Sequence, residues 1–315
     1  MSSSPQAAII ITTRNRKDEL RTALESAVSQ TGDVEIIVVD DASTDGTPEM
    51  VRTQFPQVRL HVGPAARGYI VQRNVGARLA TAPIIVSIDD DAAFTTPQTV
   101  SQALTQFDHP RIGAISIPFI NVGQSETPIM AAPDDDRTYV MSTYIGTAHA
   151  LRRDLFLKLG GYREQLVHFG EEAEYAMRLL QAGYVTRMGR ADPINHYCSP
   201  KRQISRGFIE RGRSHVLGAW YNDPIEYLPL HWMATTWNML KLGVRCGHPI
   251  WAMQGVLRGM TTSLADRAHR RPLSRATYKL YRELHVGGPR PLSQILPRLP
   301  EMAFPEFTPA DAATR

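Results

Sequence analysis

Between residues 7 and 89 the chain alternates short runs of β-branched apolar residues with segments of helical period, which leaves little choice of fold. Ala7–Thr13 and Glu35–Asp40 read as buried strands, because they are short, rich in Ile and Val, and bounded by polar or turn residues, and Val58–Val62 and Pro83–Asp89 read as a third and a fourth strand. Between them, Asp18–Gln30, Pro48–Gln54 and Gln72–Ala80 read as helices. The first carries Leu20, Ala23, Leu24, Ala27 and Val28 on one face and meets Gly32 beyond its end. Strand–helix–strand spacing of this kind predicts right-handed βαβ units, hence a parallel sheet with helices on both faces. Ligands of such sheets bind outside the carboxyl ends of the strands.

Two of these strand ends are acidic: Asp40-Asp41 and Asp89-Asp90-Asp91. Adjacent carboxylates repel one another unless a cation or hydrogen-bond donors offset the cost. One or two carboxylates completed by phosphate and water are the usual ligands of Mg²⁺ or Mn²⁺, so the triplet suits a metal–diphosphate. The alternative is a turn that caps the helix after Thr96-Pro97. Asp41 lies where a base or ribose could hydrogen-bond, whereas Asp45 or Ser43 suits an Asx-turn and helix cap. Arg73 and Asn74, at a helix start, suit an anionic ligand. No GxGxxG follows the first strand, so a dinucleotide site is not supported.

Beyond residue 112 the expected elements are a strand over Ile112–Ile120, a polar loop over 124–137 and a strand pair within Tyr139–Leu151. A short helix over Arg153–Leu159 and a longer one over Glu171–Gln181 follow. From residue 201 the chain is mostly helical, and its last residues are rich in proline. Cys198 and Cys246, too few for a disulfide framework, read as plain thiols. The start MSSSPQ lacks the layout of a signal peptide and no run of 18 apolar residues occurs, which predicts a cytoplasmic chain that does not cross a membrane.

Taken in order, five stretches resemble glycosyltransferase family 2, the inverting enzymes of the GT-A fold. They are Ile9–Asn15, Val38–Thr47, Arg73–Ala77, Ser87–Asp91, and Gly146–Arg153 continuing through Gly160–Glu164 into Gly170–Arg178. The resemblance covers roughly residues 7–215 and implies an α/β, Rossmann-like GT-A domain with a mostly parallel sheet over residues 1–215; beyond it, composition and helical patterning predict a helical subdomain over 216–287 and an extended tail over 288–315. The resemblance also implies a metal-dependent transfer of sugar from a UDP-, dTDP- or GDP-sugar to a hydroxyl of a glycan, lipid-linked or small-molecule acceptor, in glycan or cell-envelope polysaccharide biosynthesis. Thr12, Arg14, Asp41, Arg73, Asp89 and Asp90 would lie on the nucleotide side. Asp91, Asp89 and His196 would hold Mn²⁺ or Mg²⁺; the other reading of His196 is structural. The family's general base comes from a Glu-Asp pair at a helix start. Here the pair is Glu171-Glu172, with Glu172 in the base position and Glu171 supporting it. By their place after His196, Arg202, Arg206 and Arg211 read either as a lid that closes over the diphosphate or as solvated helix charge, and His168 as an acceptor-pocket candidate. A sugar nucleotidyltransferase is the alternative enzyme, disfavoured because Thr12–Lys17 lacks glycine, and a non-catalytic nucleotide- or sugar-binding scaffold is the third reading.

Charge divides unevenly. Residues 1–200 carry 18 Lys/Arg against 23 Asp/Glu, and residues 201–315 carry 17 against 8. All four tryptophans fall in the basic part, among Met233, Met239, Met253, Lys241, Arg245 and Arg258. That pattern fits helices packed in a core or homo-oligomer, or helices lying on a membrane surface. No nucleic-acid-binding module is recognisable.

Overall fold

The computed structural model describes residues 4–197 and 204–306. Its strands are β1 (Ala7–Thr13), β2 (Val34–Asp40), β3 (Arg59–Val62), β4 (Ile84–Asp89), β5 (Ala92–Phe94), β6 (Ile112–Ser116), β7 (Phe119–Asn121), β8 (Tyr139–Met141), β9 (Ala148–Arg152), β10 (Val185–Met188), β11 (Ile194–His196) and β12 (Arg290–Pro291). Its helices are α1 (Lys17–Val28), α2 (Thr47–Gln54), α3 (Tyr69–Leu79), α4 (Thr99–Thr105), α5 (Arg153–Lys158), α6 (Glu171–Gln181), α7 (Ile204–Asn222), α8 (Leu228–Arg245), α9 (Pro249–Ala265), α10 (Arg275–Gly287) and α11 (Leu292–Ile295).

Nine strands form one sheet in the order β12-β8-β10-β6-β9-β4-β1-β2-β3, and β5-β11-β7 form a second, small sheet. The central pairs β1/β2, β1/β4, β2/β3 and β6/β10 are parallel, whereas β9 runs antiparallel to β4 and β6. Alternation along each central strand feeds both faces. In β1, Ile9 and Ile11 pack into a core with Leu20 and Leu24 of α1 and Met50 and Val51 of α2. Ile10 points the other way, into a core with Ile70 of α3, Phe156 of α5 and Leu179 of α6. This explains why the strands are apolar at every position.

The first four strands and first two helices lie where the periodicity places them, but α3 begins at Tyr69, so Arg73 and Asn74 stand in its second turn and not at its start, and later segments differ as well. The expected strand over Ile112–Ile120 divides at Pro118, whose missing N–H ends the ladder; β6 and β7 belong to different sheets. The strands within Tyr139–Leu151 do not pair, since β10 and β6 lie between β8 and β9. Asp89–Asp91 do not cap α4, whose N-cap Gln98 makes no side-chain cap bond. Residues 290–298 are folded rather than extended: β12 adds to the sheet beside β8, and Leu292 and Ile295 are buried in the main core. Tyr278, Leu280 and Leu284 of α10 enter that same core, so α10 packs with the sheet. Helices α7, α8 and α9 form their own small cluster around Val216, Met239, Ala252 and Val256. Cys198 and Arg202 lie outside the described residues; Cys246 is an exposed free thiol. No helix among the described residues is long and apolar enough to cross a membrane.

Gly76 sets how closely α3 lies on the sheet. A Cβ there would stand 2.5 Å from Ile10 Cγ2, a branch atom fixed in the core. Gly76→Ala would gain helix propensity of about 0.5–1 kcal/mol, but overpacking of this kind costs about 1–3 kcal/mol. The variant should therefore unfold at lower urea than the parent; unchanged or higher stability would show that the contact relaxes freely.

Candidate active site

The carboxyl ends of β1, β2 and β4 open into a cleft of about 1220 Å³ that the start of α6 and residues 204–211 also border. Thr12, Arg14, Asp41, Arg73, Asp89, Asp90, Asp91, Glu172 and His196 all line it, as do His168, Arg206 and Arg211. Glu171 does not, being fully buried beneath its neighbour.

The acidic triplet is divided by its contacts. Asp89, at the last position of β4, accepts from Arg73 Nη2 at 2.7 Å and from Thr147 Oγ1 at 3.0 Å. Asp90 turns inward, accepting from Thr13 Oγ1 at 2.8 Å and Arg16 Nη1 at 2.7 Å. Burial pushes its carboxyl up to about 6, against the opposing pull of Arg16. Asp91 is buried beside His196, with Oδ1 3.5 Å from Nε2, and its Oδ2 lies 3.3 Å from Arg16 Nη1. Arg16 is thus the cation that offsets Asp90 and Asp91, as Arg73 does Asp89; the sequence did not single Arg16 out although it follows the first strand by three residues.

Donor atoms of Asp89, Asp91 and His196 all lie within 4.8 Å of one another. The small second sheet brings them together: β11 carries His196, pairs antiparallel with β5, and places His196 opposite Ala92. Asn121 Oδ1 lies 2.7 Å from His196 Nδ1; as that oxygen can only accept, Nδ1 carries the hydrogen and the ring is held with Nε2 on the side of Asp91. Two carboxylates and an oriented imidazole fit a hard to borderline divalent cation such as Mn²⁺. Asn121 gave no signal in the sequence, because only the fold brings it to His196.

On the nucleotide side, Asp41 accepts from the backbone N–H of Arg67 (2.7 Å) and Gly68 (2.9 Å) and from Gln72 Nε2 (2.5 Å). These take three of the roughly four acceptor positions of a carboxylate. Asp40 is fully buried and closes an Asx-turn on Ser43 N–H at 2.8 Å, while Asp45 bonds Thr47 and Lys17 at the helix starts. Asn74, like Asp40, is structural: its amide bonds both the carbonyl and the N–H of Tyr162.

Arg73 occupies the centre. Its Nη1 lies 2.9 Å from Glu171 Oε1 and 3.6 Å from Glu172 Oε1, its Nη2 also donates to the Gly146 carbonyl at 3.1 Å, and its guanidinium stacks 4.8 Å from the Tyr69 ring centroid. Burial alone would favour the neutral form, but Asp89, Glu171 and Glu172 outweigh it and hold the charge above its ordinary range. Tyr69 donates its hydroxyl hydrogen to Glu171 at 3.2 Å and accepts from the Phe169 N–H at 2.9 Å. That second bond steadies the turn before α6, in which Val167, Phe169 and Gly170 all have positive φ. Ser214 of α7 completes the hold: its hydroxyl lies within hydrogen-bond reach of the carbonyls of both Leu166 and His168, which share its one hydrogen.

Glu172 keeps 18% of its side chain exposed, at the cleft wall, while Glu171 has none. Burial first, then the charge of Glu171, push the Glu172 carboxyl well above the usual range despite Arg73. Gly146 passes so close that a Cβ there would lie 2.4 Å from Glu172 Oε1 and 2.8 Å from the Arg73 guanidinium. Behind this loop Tyr144, Tyr162 and His149 form a buried chain, with Tyr162 donating to His149 Nε2 at 3.0 Å and His149 Nδ1 donating to the Ile145 carbonyl at 3.2 Å. Burial and nearby Arg73 lower His149 to about 3, so it stays neutral and pins the loop.

Residues 8–160 match the model of glycosyl transferase family 2. An uncharacterized glycosyltransferase of Haemophilus influenzae is 29% identical over 202 residues, 61% of this chain and 67% of that protein. Validoxylamine A glucosyltransferase of Streptomyces hygroscopicus subsp. jinggangensis is 36% identical over 112 residues, covering 34% of this chain and only 26% of its own length. Among solved structures, a mannosyltransferase of Pyrobaculum calidifontis in complex with GDP-Man and Mn²⁺ gives a TM-score of 0.57 at 21% identity, over 99% of this chain and 87% of that one. S. aureus TarS 1–349 in complex with UDP-GlcNAc gives 0.58 at 17% identity, over 79% of each chain. At these identities the structural likeness is one of fold, the GT-A fold.

The raised Glu172 carboxyl has a stability consequence. A group whose folded value lies above its ordinary 4.5 binds its proton more tightly when folded, so ionising it costs stability as pH rises past that value. Glu172→Gln should therefore melt at a higher temperature than the parent near neutral pH. The gain should shrink as pH falls into the ordinary carboxylate range, and a pH-independent difference would contradict the assignment.

Proposed function

We propose that this chain, which belongs to glycosyl transferase family 2 through residues 8–160, transfers a sugar from a nucleoside-diphosphate sugar to an acceptor hydroxyl with inversion. The observation that carries this reading is one cleft in which Arg73 contacts Asp89 on one side and the Glu171-Glu172 pair on the other. The donor's nucleotide would rest against Thr12, Arg14, Asp41 and Asp89, below the strand ends. Asp91, Asp89 and His196 would hold Mn²⁺ or Mg²⁺, which when bound supplies positive charge to the departing diphosphate.

Glu172 is the side chain placed to take the acceptor's proton. It is exposed to the cleft where Glu171 is not, and its raised proton affinity makes it a stronger base than a solvated carboxylate. Glu171, tied to Arg73 and Tyr69, acts as a positioning residue that keeps the guanidinium aligned and the neighbouring carboxyl poised. A single displacement of this type needs one base and no covalent intermediate, which agrees with a site holding a single cleft-facing carboxylate on α6. Arg206 and Arg211, at the rim, are placed to approach the diphosphate. UDP-, GDP- and dTDP-sugars are the donor candidates, because the Pyrobaculum and S. aureus proteins of like fold were solved with GDP-Man and UDP-GlcNAc. A glycan, a lipid-linked glycan or a small molecule would supply the hydroxyl.

Two measurements test this together. Melting should rise with UDP, GDP or dTDP in the presence of Mn²⁺, by the equivalent of about 2.7 kcal/mol at a hundredfold excess over the dissociation constant; Asp91→Asn should lose the Mn²⁺-dependent part. Glu172→Gln should keep the nucleotide-induced shift and lower kcat by roughly 10²–10⁴, the range removed with a general base. Retained transfer in Glu172→Gln would move the base elsewhere. Nucleotide-sugar synthesis in place of transfer would favour a nucleotidyltransferase, and binding without turnover a scaffold.

A further inference from the structure

Helices α8 and α9 pack against each other and against α7, yet each leaves an apolar stripe outward. On α8 the exposed positions Leu230, Met233, Trp237, Lys241 and Val244 step by three or four residues, one face of a helix. On α9 Ile250, Leu257 and Leu264 recur every seven. These seven apolar side chains are between 57% and 80% exposed. Scattered exposed hydrophobes are ordinary on a protein surface, but two helices packed side by side that each carry such a stripe are not.

Charge decides what covers them. Residues 228–265 contain no Asp or Glu, and their cations are Lys241, Arg245 and Arg258, all exposed. Lys241 Nζ sits 5.7 Å from the Trp237 ring centroid. The flanking acids are already engaged within the chain: Glu210 with Arg213, Asp223 with His231, Glu226 with Arg275 and Asp266 with Tyr221. In a two-fold interface between copies the same patch meets itself, so these cations would face their own kind with no acid between them. An anionic lipid surface instead takes the apolar side chains into its interface and the cations among its phosphates. From these observations we propose that the α8–α9 face docks on an anionic bilayer. Leu242, on α8 between the exposed Lys241 and Val244, lines the cleft, so the docked surface borders the cleft mouth. The proposal is independent of the reaction assigned above.

Co-sedimentation of the full chain with phosphatidylcholine vesicles, with and without phosphatidylglycerol, at low and high salt, tests it. Binding should need phosphatidylglycerol and weaken with salt. The double variant Lys241→Gln/Arg245→Gln should bind roughly 30-fold more weakly, the equivalent of two basic residues lost at a lipid surface. Leu230→Gln/Trp237→Gln should also release the protein, with unchanged melting temperature and nucleotide-induced stabilisation. Because the charge variant alters only exposed polar positions, it serves alone if the apolar variant misfolds. No binding to either vesicle, salt-independent binding to phosphatidylcholine alone, or a solution dimer that Leu230→Gln/Trp237→Gln dissociates would each overturn the proposal, the last in favour of a second copy.

Discussion

A buried guanidinium holds the two halves of this cleft together. Arg73 is 6% exposed and contacts four anionic or carbonyl partners: Asp89 from β4, Glu171 and Glu172 from α6, and the Gly146 backbone. Opposite charges so far from water attract strongly, but the same burial makes each expensive to leave alone. The network is therefore all-or-none. Loss of the guanidinium would strand Glu171, fully buried with the Tyr69 hydroxyl and the neighbouring Glu172 carboxyl but no cation beside it, at a cost on the order of 3–5 kcal/mol. One side chain thereby ties Asp89, at the end of β4, to the helix that carries the cleft-facing glutamate.

The sheet topology makes that bridge available. Parallel strands β1, β2 and β4 bring Thr12, Asp41 and Asp89 to one edge, and α3, returning across the sheet, delivers Arg73 from beneath. The other side depends on irregular backbone. Gly146 admits the loop over Arg73 and Glu172 because any side chain would collide with both. The turn before α6 keeps Val167 and Phe169 in the left-handed region, a strain that the Tyr69 and Ser214 hydrogen bonds oppose. Such strain is usual where a reactive side chain must be aimed rather than relaxed.

What was legible in the sequence follows from how local its cause is. Strand and helix in residues 7–89 are written in periodicity, whereas Asp89, Asp91 and Glu172, which taken alone read as turn or helix-end charges, are singled out by the order of motifs shared with the family. The division of labour inside each acidic pair was not legible. Asp40 and Asp41 are chemically alike, yet one closes a turn while the other lines the cleft, because consecutive residues leaving a strand point to opposite sides. Arg16, Asn121, Tyr69 and Thr147 act only through partners distant in sequence, so no local pattern marks them. Prolines near the end suggested an extended arm, but composition cannot register that Leu292 and Ile295 find a groove against the sheet.

Anomalous diffraction from crystals soaked in Mn²⁺ with UDP, repeated with GDP and dTDP, addresses the account at its root. A manganese peak bonded to Asp91 and His196, with the nucleotide's diphosphate lying between it and the Glu172 carboxylate, is the predicted result. A peak elsewhere, or a nucleotide bound with its diphosphate turned away from Glu172, would contradict the account.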